Sequence, residues 1–353
     1  MRGHDQTVAD QPDPEHRRDT VVIAASAGGI SAMQKLLARL PRDLPATILG
    51  VVHLPATANS VLPQVVTRRS EVPAEFARDG VEPRPGRLYL APPDRHLLLV
   101  EDRLRLSTGP RQNGLRPAAD PLFFSAALAR GRRLIGVVLS GMLDDGAAGC
   151  AAVQEHGGLV AVQDPAEADY DGMPSAALAS TTDAFLGNLE GIARFVRDQT
   201  REAGMTDKGP DPDPDLHQAV ERLLKVDNGW TESPPHEYSG LTCPECGGPL
   251  YSRSAPAGSM RMECRIGHGW SPQSLLESQD RTVERALSMA VTQLAERSVL
   301  TRRLAQAAAE RGHRLSRDQF ADKARQTEEA AETLQRMLAE LLARQDDLAN
   351  GSR

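Results

Sequence analysis

Between residues 20 and about 200, short apolar runs alternate with stretches of helical period. VVIAAS (21–26), ATILGVVHL (46–54), LIGVVLS (134–140) and LVAVQ (159–163) are continuous and rich in Val, Ile and Leu. Such runs suit strands buried on both faces of a parallel sheet. Between them, ISAMQKLLARL, PLFFSAALARG and AAGCAAVQEHG read as helices. Strand then helix, repeated, predicts an α/β domain over 20–200 with a mostly parallel sheet flanked by helices. The segment RLYLAPPDRHLLLVEDRLRLS (87–107) differs. It reads as short strands joined by tight turns, and a hairpin at the sheet edge is expected.

The pattern changes after residue 200. GMTDKGPDPDPDL (203–215) alternates Asp and Pro and can neither pack a core nor continue a helix, so 201–215 reads as a linker. A short helix candidate, LHQAVERLLKV, and a Cys-rich segment follow within 216–271. From 272 to 353 the chain is helical in pattern. Phe320, Ala324, Thr327, Ala331, Leu334, Leu338 and Leu341 step by four and three, which is a heptad seam. Val283, Leu287, Ala290 and Leu294 begin a similar seam, and Gly312 interrupts between the two. A helical hairpin or coiled coil is expected, offering a route to self-association.

Composition narrows the function classes. A chain of 353 residues with 40% hydrophobic and 25% charged residues fits two or three ordinary globular domains. The formal charge of −7 argues against nucleic-acid binding through a basic surface. No apolar run approaches the ~20 residues of a membrane helix. The leader, residues 1–19, is polar, has no signal-peptide core and is expected to be disordered. A cytoplasmic protein is the expectation.

Ser26 stands where the first buried strand gives way to Gly28-Gly29 and a helix. A small-residue turn there lets a side chain project at the carboxyl edge of the sheet, where open parallel sheets place their sites. The helix start offers free N–H groups to a developing oxyanion. A phosphate-cradling loop looks similar, and a serine capping its own helix is the plain structural alternative. His53 ends the second strand among apolar neighbours, a setting that also suits a core histidine. Asp145 follows the third strand in LSGMLDDGAAG, where a carboxylate also suits a helix cap. Together the three place a hydroxyl, an imidazole and a carboxylate at strand ends along one edge, which suits a nucleophile, a base and an orienting acid.

VVIAASAGGI, VVHLP, YLAPPDRHL, RPAADPLF, LSGMLDDGAAG and DGMPSAAL come in the order, and at about the spacing, found in the catalytic domain of chemotaxis protein-glutamate methylesterases. Residues 19 to 197 resemble that Rossmann-like domain. The resemblance implies Ser26 as nucleophile, His53 as general base and Asp145, rather than Asp144, as the residue that orients His53. It implies Met142 as a contributor to the oxyanion hole, and no cofactor for catalysis. It implies hydrolysis of glutamyl methyl esters on a methylated chemoreceptor or similar helical protein, with glutamine deamidation as a second activity. Ala27 stands where family members commonly carry Thr. With only a short polar leader before the domain, activation by a receiver domain in cis is not expected. A weakly active or inactive scaffold using the same fold is the competing reading.

Cys243-Pro-Glu-Cys246 and Cys264-Arg-Ile-Gly-His268 supply four soft or borderline ligands at zinc-ribbon spacing. A structural zinc is expected, closed to catalysis by its four protein ligands. His236 reads as loop, and Cys150 as a small buried residue. Glu328-Glu329 reads as a solvated pair on a helix face.

Overall fold

The computed structural model describes residues 17–53, 61–202, 213–224, 237–254 and 260–350, without the side chains of 254 and 344–350. Most of the expected leader and linker, and His236, lie outside the described residues. The first strands and helices follow the apolar pattern closely. They are β1 (Thr20–Ala25), α1 (Gly29–Leu37), β2 (Thr47–Val52), α2 (Leu62–Val66), β3 (Ala74–Phe76), β4 (Leu88–Leu90), β5 (His96–Val100) and β6 (Arg103–Ser107). Then come α3 (Ala119–Arg130), β7 (Leu134–Val138), α4 (Ala147–Glu155), β8 (Leu159–Gln163), α5 (Gly172–Ala179), β9 (Phe185–Gly187) and α6 (Leu189–Arg201).

Seven strands form one parallel sheet in the order β3-β4-β2-β1-β7-β8-β9. β1 is central, and its alternate side chains feed two cores. Val21, Ile23 and Ala25 face Met33, Leu36, Ile192 and Val196 on one side. Val22 and Ala24 face Leu122, Phe123 and Val153 on the other. The hairpin expected at the sheet edge lies elsewhere. Leu88–Leu90 forms an interior strand between β3 and β2, because all three residues are buried and pair on both sides. β5 and β6 make a separate antiparallel pair that packs on α3. The Leu99 N–H donates to Ser125 Oγ at 3.0 Å across that contact.

α7 (Pro214–Leu224) buries Leu216, Val220 and Leu223, one helix face, in the core shared with α3. A small antiparallel sheet follows: β10 (Tyr238–Thr242), β11 (Pro249–Ser254), β12 (Met260–Cys264) and β13 (Gly269–Trp270). Among the described residues its core holds Cys243, Leu250, Met262, Cys264, Trp270 and Leu275. So small an apolar set needs a further staple to fold. The chain divides into two compact units at Leu275 and Leu276, and this ribbon belongs to the first.

The second unit consists of most of α8 (Pro272–Glu310) and of α9 (Arg314–Asn350), joined by a turn in which Gly312 takes a φ of 75°. On α9 each residue of the heptad seam from Phe320 to Leu341 is buried or half-buried, while its flanking positions are mostly exposed. On α8, Leu287, Ala290 and Leu294 are half-buried, and Ser298, Thr301 and Ala308 extend that face. Val283 departs from the expected seam and is 46% exposed. Glu328 is not simply solvated: it pairs with Arg302 at 3.3 Å. Charging the α9 seam with Leu334→Glu and Leu338→Glu should therefore lower helical content and remove the tail's thermal transition. Circular dichroism of the full chain measures this, with the α/β transition as internal reference.

Candidate active site

The turn after β1 is clasped by the end of β7. The Ser26 N–H donates to the Ser140 carbonyl at 3.0 Å, and Ser140 Oγ–H donates to the Ala27 carbonyl at 2.8 Å. Gly28 has a φ of 71°, and a Cβ there would stand 2.6 Å from Ser140 Oγ and from Asp169 Cβ, so only glycine fits. Gly141 likewise has no room for a side chain, because a Cβ would overlap Met173 and lie 2.9 Å from Ser26 Cβ. The loop after β7 thus runs directly beside Ser26. Met142, the next residue, is 56% exposed. Its N–H has no partner among the described residues.

β1 and β2 pair in register through Ala25 and Val52, so Ser26 and His53 follow at neighbouring strand ends. The His53 N–H donates to the Ala25 carbonyl at 3.2 Å. His53 Nε2 lies 2.8 Å from Asp145 Oδ2. With Nε2–H donated to that carboxylate, Nδ1 is the ring nitrogen that carries the lone pair. Asp145 is 2% exposed and also accepts from the Ala119 N–H at 2.6 Å and from Asn113 Nδ2 at 3.1 Å. Burial opposes its ionisation. The bonds from His53, Ala119 and Asn113 outweigh burial and hold the carboxyl below its usual range. Asp144 points elsewhere and accepts from Ser271 Oγ at 2.9 Å and Ser274 Oγ at 2.7 Å.

The model for the CheB methylesterase family matches residues 21–196. A protein-glutamate methylesterase/protein-glutamine glutaminase from Anaeromyxobacter dehalogenans is 41% identical over 171 residues, 48% of this chain and 50% of that one. A relative from Leptospira interrogans, proposed to be a protein-glutamate methylesterase/protein-glutamine glutaminase, is 36% identical over 181 residues, 51% of this chain and 94% of its own. The chain belongs to the CheB methylesterase family. A crystal structure of the Thermotoga maritima CheB methylesterase catalytic domain is 30% identical, covers 51% of this chain and 97% of that one, and has a TM-score of 0.49. The chain spans about half the length of the Anaeromyxobacter relative.

Beside Ser26, His53 and Asp145 stand further buried groups, two of them, Asp120 and His96, with no role implied by the sequence pattern. Asp120 is buried beside Asp145 and accepts from the Gly146 and Gly149 N–H groups at 3.1 and 2.9 Å and from Arg261 Nη1 at 3.1 Å. Burial first, then the negative charge of Asp145, pushes its carboxyl up to about 6. His96, within the YLAPPDRHL motif, is buried and clamps the loop before α3. Its Nε2 contacts the Pro110 carbonyl at 3.1 Å and its Nδ1 accepts from the Ala118 N–H at 3.3 Å. Burial pushes its imidazole down to about 4. Cys150 is fully buried in α4, and burial pushes its thiol up.

Cys243, Cys246, Cys264 and His268 come together, with all four ligand atoms within 4.8 Å of one another. Cys246 Sγ lies 3.6 Å from Cys264 Sγ, and His268 Nδ1 lies 3.7 and 3.5 Å from the sulfurs of Cys243 and Cys264. Four ligands about 2.3 Å from a common centre in a tetrahedron stand roughly 3.7 Å apart, so this donor set fits a metal cage.

Asp120 and His96, two of these buried groups, act on stability in opposite senses between pH 4 and 6.5. Folded Asp120 holds its proton more tightly than the unfolded chain, so stability falls as pH rises from about 4 to about 6. Folded His96 holds its proton less tightly, so stability rises with pH between about 4 and 6.5. Asp120→Asn removes the first effect and leaves His96 in place. Urea denaturation between pH 4 and 6 should show stability climbing more steeply with pH in Asp120→Asn than in the unaltered chain.

Proposed function

We propose that this chain hydrolyses glutamyl methyl esters on a chemoreceptor-type protein, and the side-chain amide of glutamine at equivalent positions, using Ser26, His53 and Asp145. The observation that carries this reading is the 2.8 Å contact between His53, at a strand end next to Ser26, and the buried Asp145. His53 Nδ1 takes the Ser26 hydroxyl proton as Oγ bonds to the ester carbonyl carbon. The C–O bond to methoxide breaks, and the imidazolium returns the proton so that methanol leaves. Water, deprotonated by the same nitrogen, then cleaves the acyl-enzyme and regenerates Ser26. Asp145 stabilises the imidazolium and fixes its tautomer. The Met142 N–H, beside Ser26, serves the oxyanion. The product carboxylate adds one negative charge to a substrate helix and changes repulsion between its neighbours.

The same reading gives the ribbon a structural zinc held by Cys243, Cys246, Cys264 and His268. When bound, the metal ties the strands of a sheet whose apolar core is too small to hold alone. Four unlinked cysteines suit a reducing compartment, which supports a cytoplasmic location. Among the described residues no helix is long and apolar enough to cross a membrane. Exposed Val299, Leu300, Leu304, Leu315 and Met337 on the long helices support self-association through the tail.

Methanol release from methylated receptor tests the chemistry. Ser26→Ala, His53→Ala and Asp145→Asn should each lower it by about three to four orders of magnitude with the fold retained. Asp144→Ala should cost far less, and an Asp144 effect exceeding that at Asp145 would overturn the assignment. Metal analysis of the purified chain should find one zinc, lost in Cys243→Ser and Cys264→Ser.

A further inference from the structure

Asp145 is not served by the CheB-type domain alone. Asn113, which donates to it, is itself held by the ribbon. The Asn113 N–H donates to the Gly269 carbonyl at 2.7 Å, and Asn113 Oδ1 accepts from the Ser271 N–H at 2.9 Å. An amide whose oxygen faces Ser271 must turn its NH2 the other way. That NH2 points to Asp145 Oδ1 at 3.1 Å and Asp120 Oδ2 at 3.4 Å. Asn113 has a φ of 54°, a conformation few residue types other than Gly and Asn adopt readily.

The neighbouring contacts have the same source. Gln112 Nε2 donates to the Gly267 carbonyl at 3.0 Å, and the Gly269 N–H donates to the Arg111 carbonyl at 3.3 Å. Arg261, on β12, pairs with Asp120 at 3.1 Å, hydrogen-bonds Gln112 and lies 5.6 Å above the Phe124 ring. A Cβ on Gly269 would overlap Gln112 Oε1, and one on Gly114 would stand 3.3 Å from the Trp270 ring, so the two surfaces fit closely. Asp144 is tied to Ser271 and Ser274. His268 lies between the two glycines whose carbonyls receive Gln112 and Asn113. Arg261 lies three residues before Cys264. The candidate metal ligands therefore sit within the segments that grip the loop behind Asp145.

We propose that the Cys-rich ribbon is a positioning element of the esterase site, acting on Asp145 through Asn113 and Arg261, so that metal occupancy of the Cys243, Cys246, Cys264 and His268 site sets the catalytic rate. The inference rests on the esterase reading above. Loss of the metal frees residues 267–271, the Asn113 amide loses its fixed direction, and Asp145 loses a donor and part of its alignment on His53. Neither Asn113 nor Arg261 touches substrate in this account.

Two readouts on the zinc-loaded full chain test it: steady-state hydrolysis of p-nitrophenyl acetate, and the low-field proton resonance of the His53–Asp145 hydrogen bond, assigned by its absence in His53→Ala. Asn113→Gly keeps the backbone conformation and removes the amide. Arg261→Met removes the cation, and Arg261→Lys restores it. Asn113→Gly and Arg261→Met should each lower kcat about tenfold, the scale of one hydrogen bond to a charged group, with KM near that of the unaltered chain. Arg261→Lys should retain most of the rate. Stripping zinc with a chelator should lower kcat similarly and shift or broaden the low-field proton, both reversed by added zinc, with α/β circular dichroism retained. Unaltered kcat and an unmoved low-field proton in Asn113→Gly, Arg261→Met and the stripped chain would overturn the proposal while leaving the esterase reading intact. A low-field proton that responds to zinc in a chain that hydrolyses no ester would support the positioning and sink the esterase reading instead.

Discussion

A carboxylate buried in a protein must be met by enough donors to offset its lost hydration, or it takes up a proton. Asp145 is in that position, and the geometry of the site follows from how it is met. His53, the Ala119 N–H at the start of α3 and the Asn113 amide all direct hydrogens at it. Because those donors come from different parts of the chain, a single ionised oxygen pair ties together the end of β2, the loop before α3 and the turn after β7. Asp120 adds a second buried carboxylate beside it, and the Arg261 guanidinium lowers the cost of the two negative charges.

The parallel sheet does the remaining positioning. β2, β1 and β7 are adjacent, so the turns that follow them open along one edge. Glycines at 28 and 141 let those turns close tightly enough to bring Ser26 beside the Met142 loop. The sheet places these strand ends together, and the loop before α3 that carries Asn113 lies behind Asp145. In this chain the ribbon holds that loop from behind, through main-chain contacts on either side of His268.

The buried strands and the helices between them were legible because doubly covered strands are continuous apolar runs. The short strands β3, β4 and β9 have only three residues each, too few to show a period, so the pattern over 87–107 reads as an edge hairpin although β4 is an interior strand. The placing of Ser26, His53 and Asp145 at neighbouring strand ends is legible from the apolar runs, and the Cys and His spacing announces its cluster. Asn113 and Arg261 carried no such mark. Their parts depend on contacts across 158 and 141 residues of sequence, from Asn113 to Ser271 and from Arg261 to Asp120, which local pattern does not contain. Spacing alone puts Val283 in the tail seam, but the buried face of α8 begins later, near Leu287.

The central claim is that Ser26 is a nucleophile activated by the His53–Asp145 pair. The most direct measurement is reaction of the native full chain with a fluorophosphonate, followed by mass spectrometry of the peptides. A single adduct on the Ser26 peptide, forming far more slowly in His53→Ala, is the predicted result. A folded chain that takes up no adduct, or takes it up on another residue, would contradict the account.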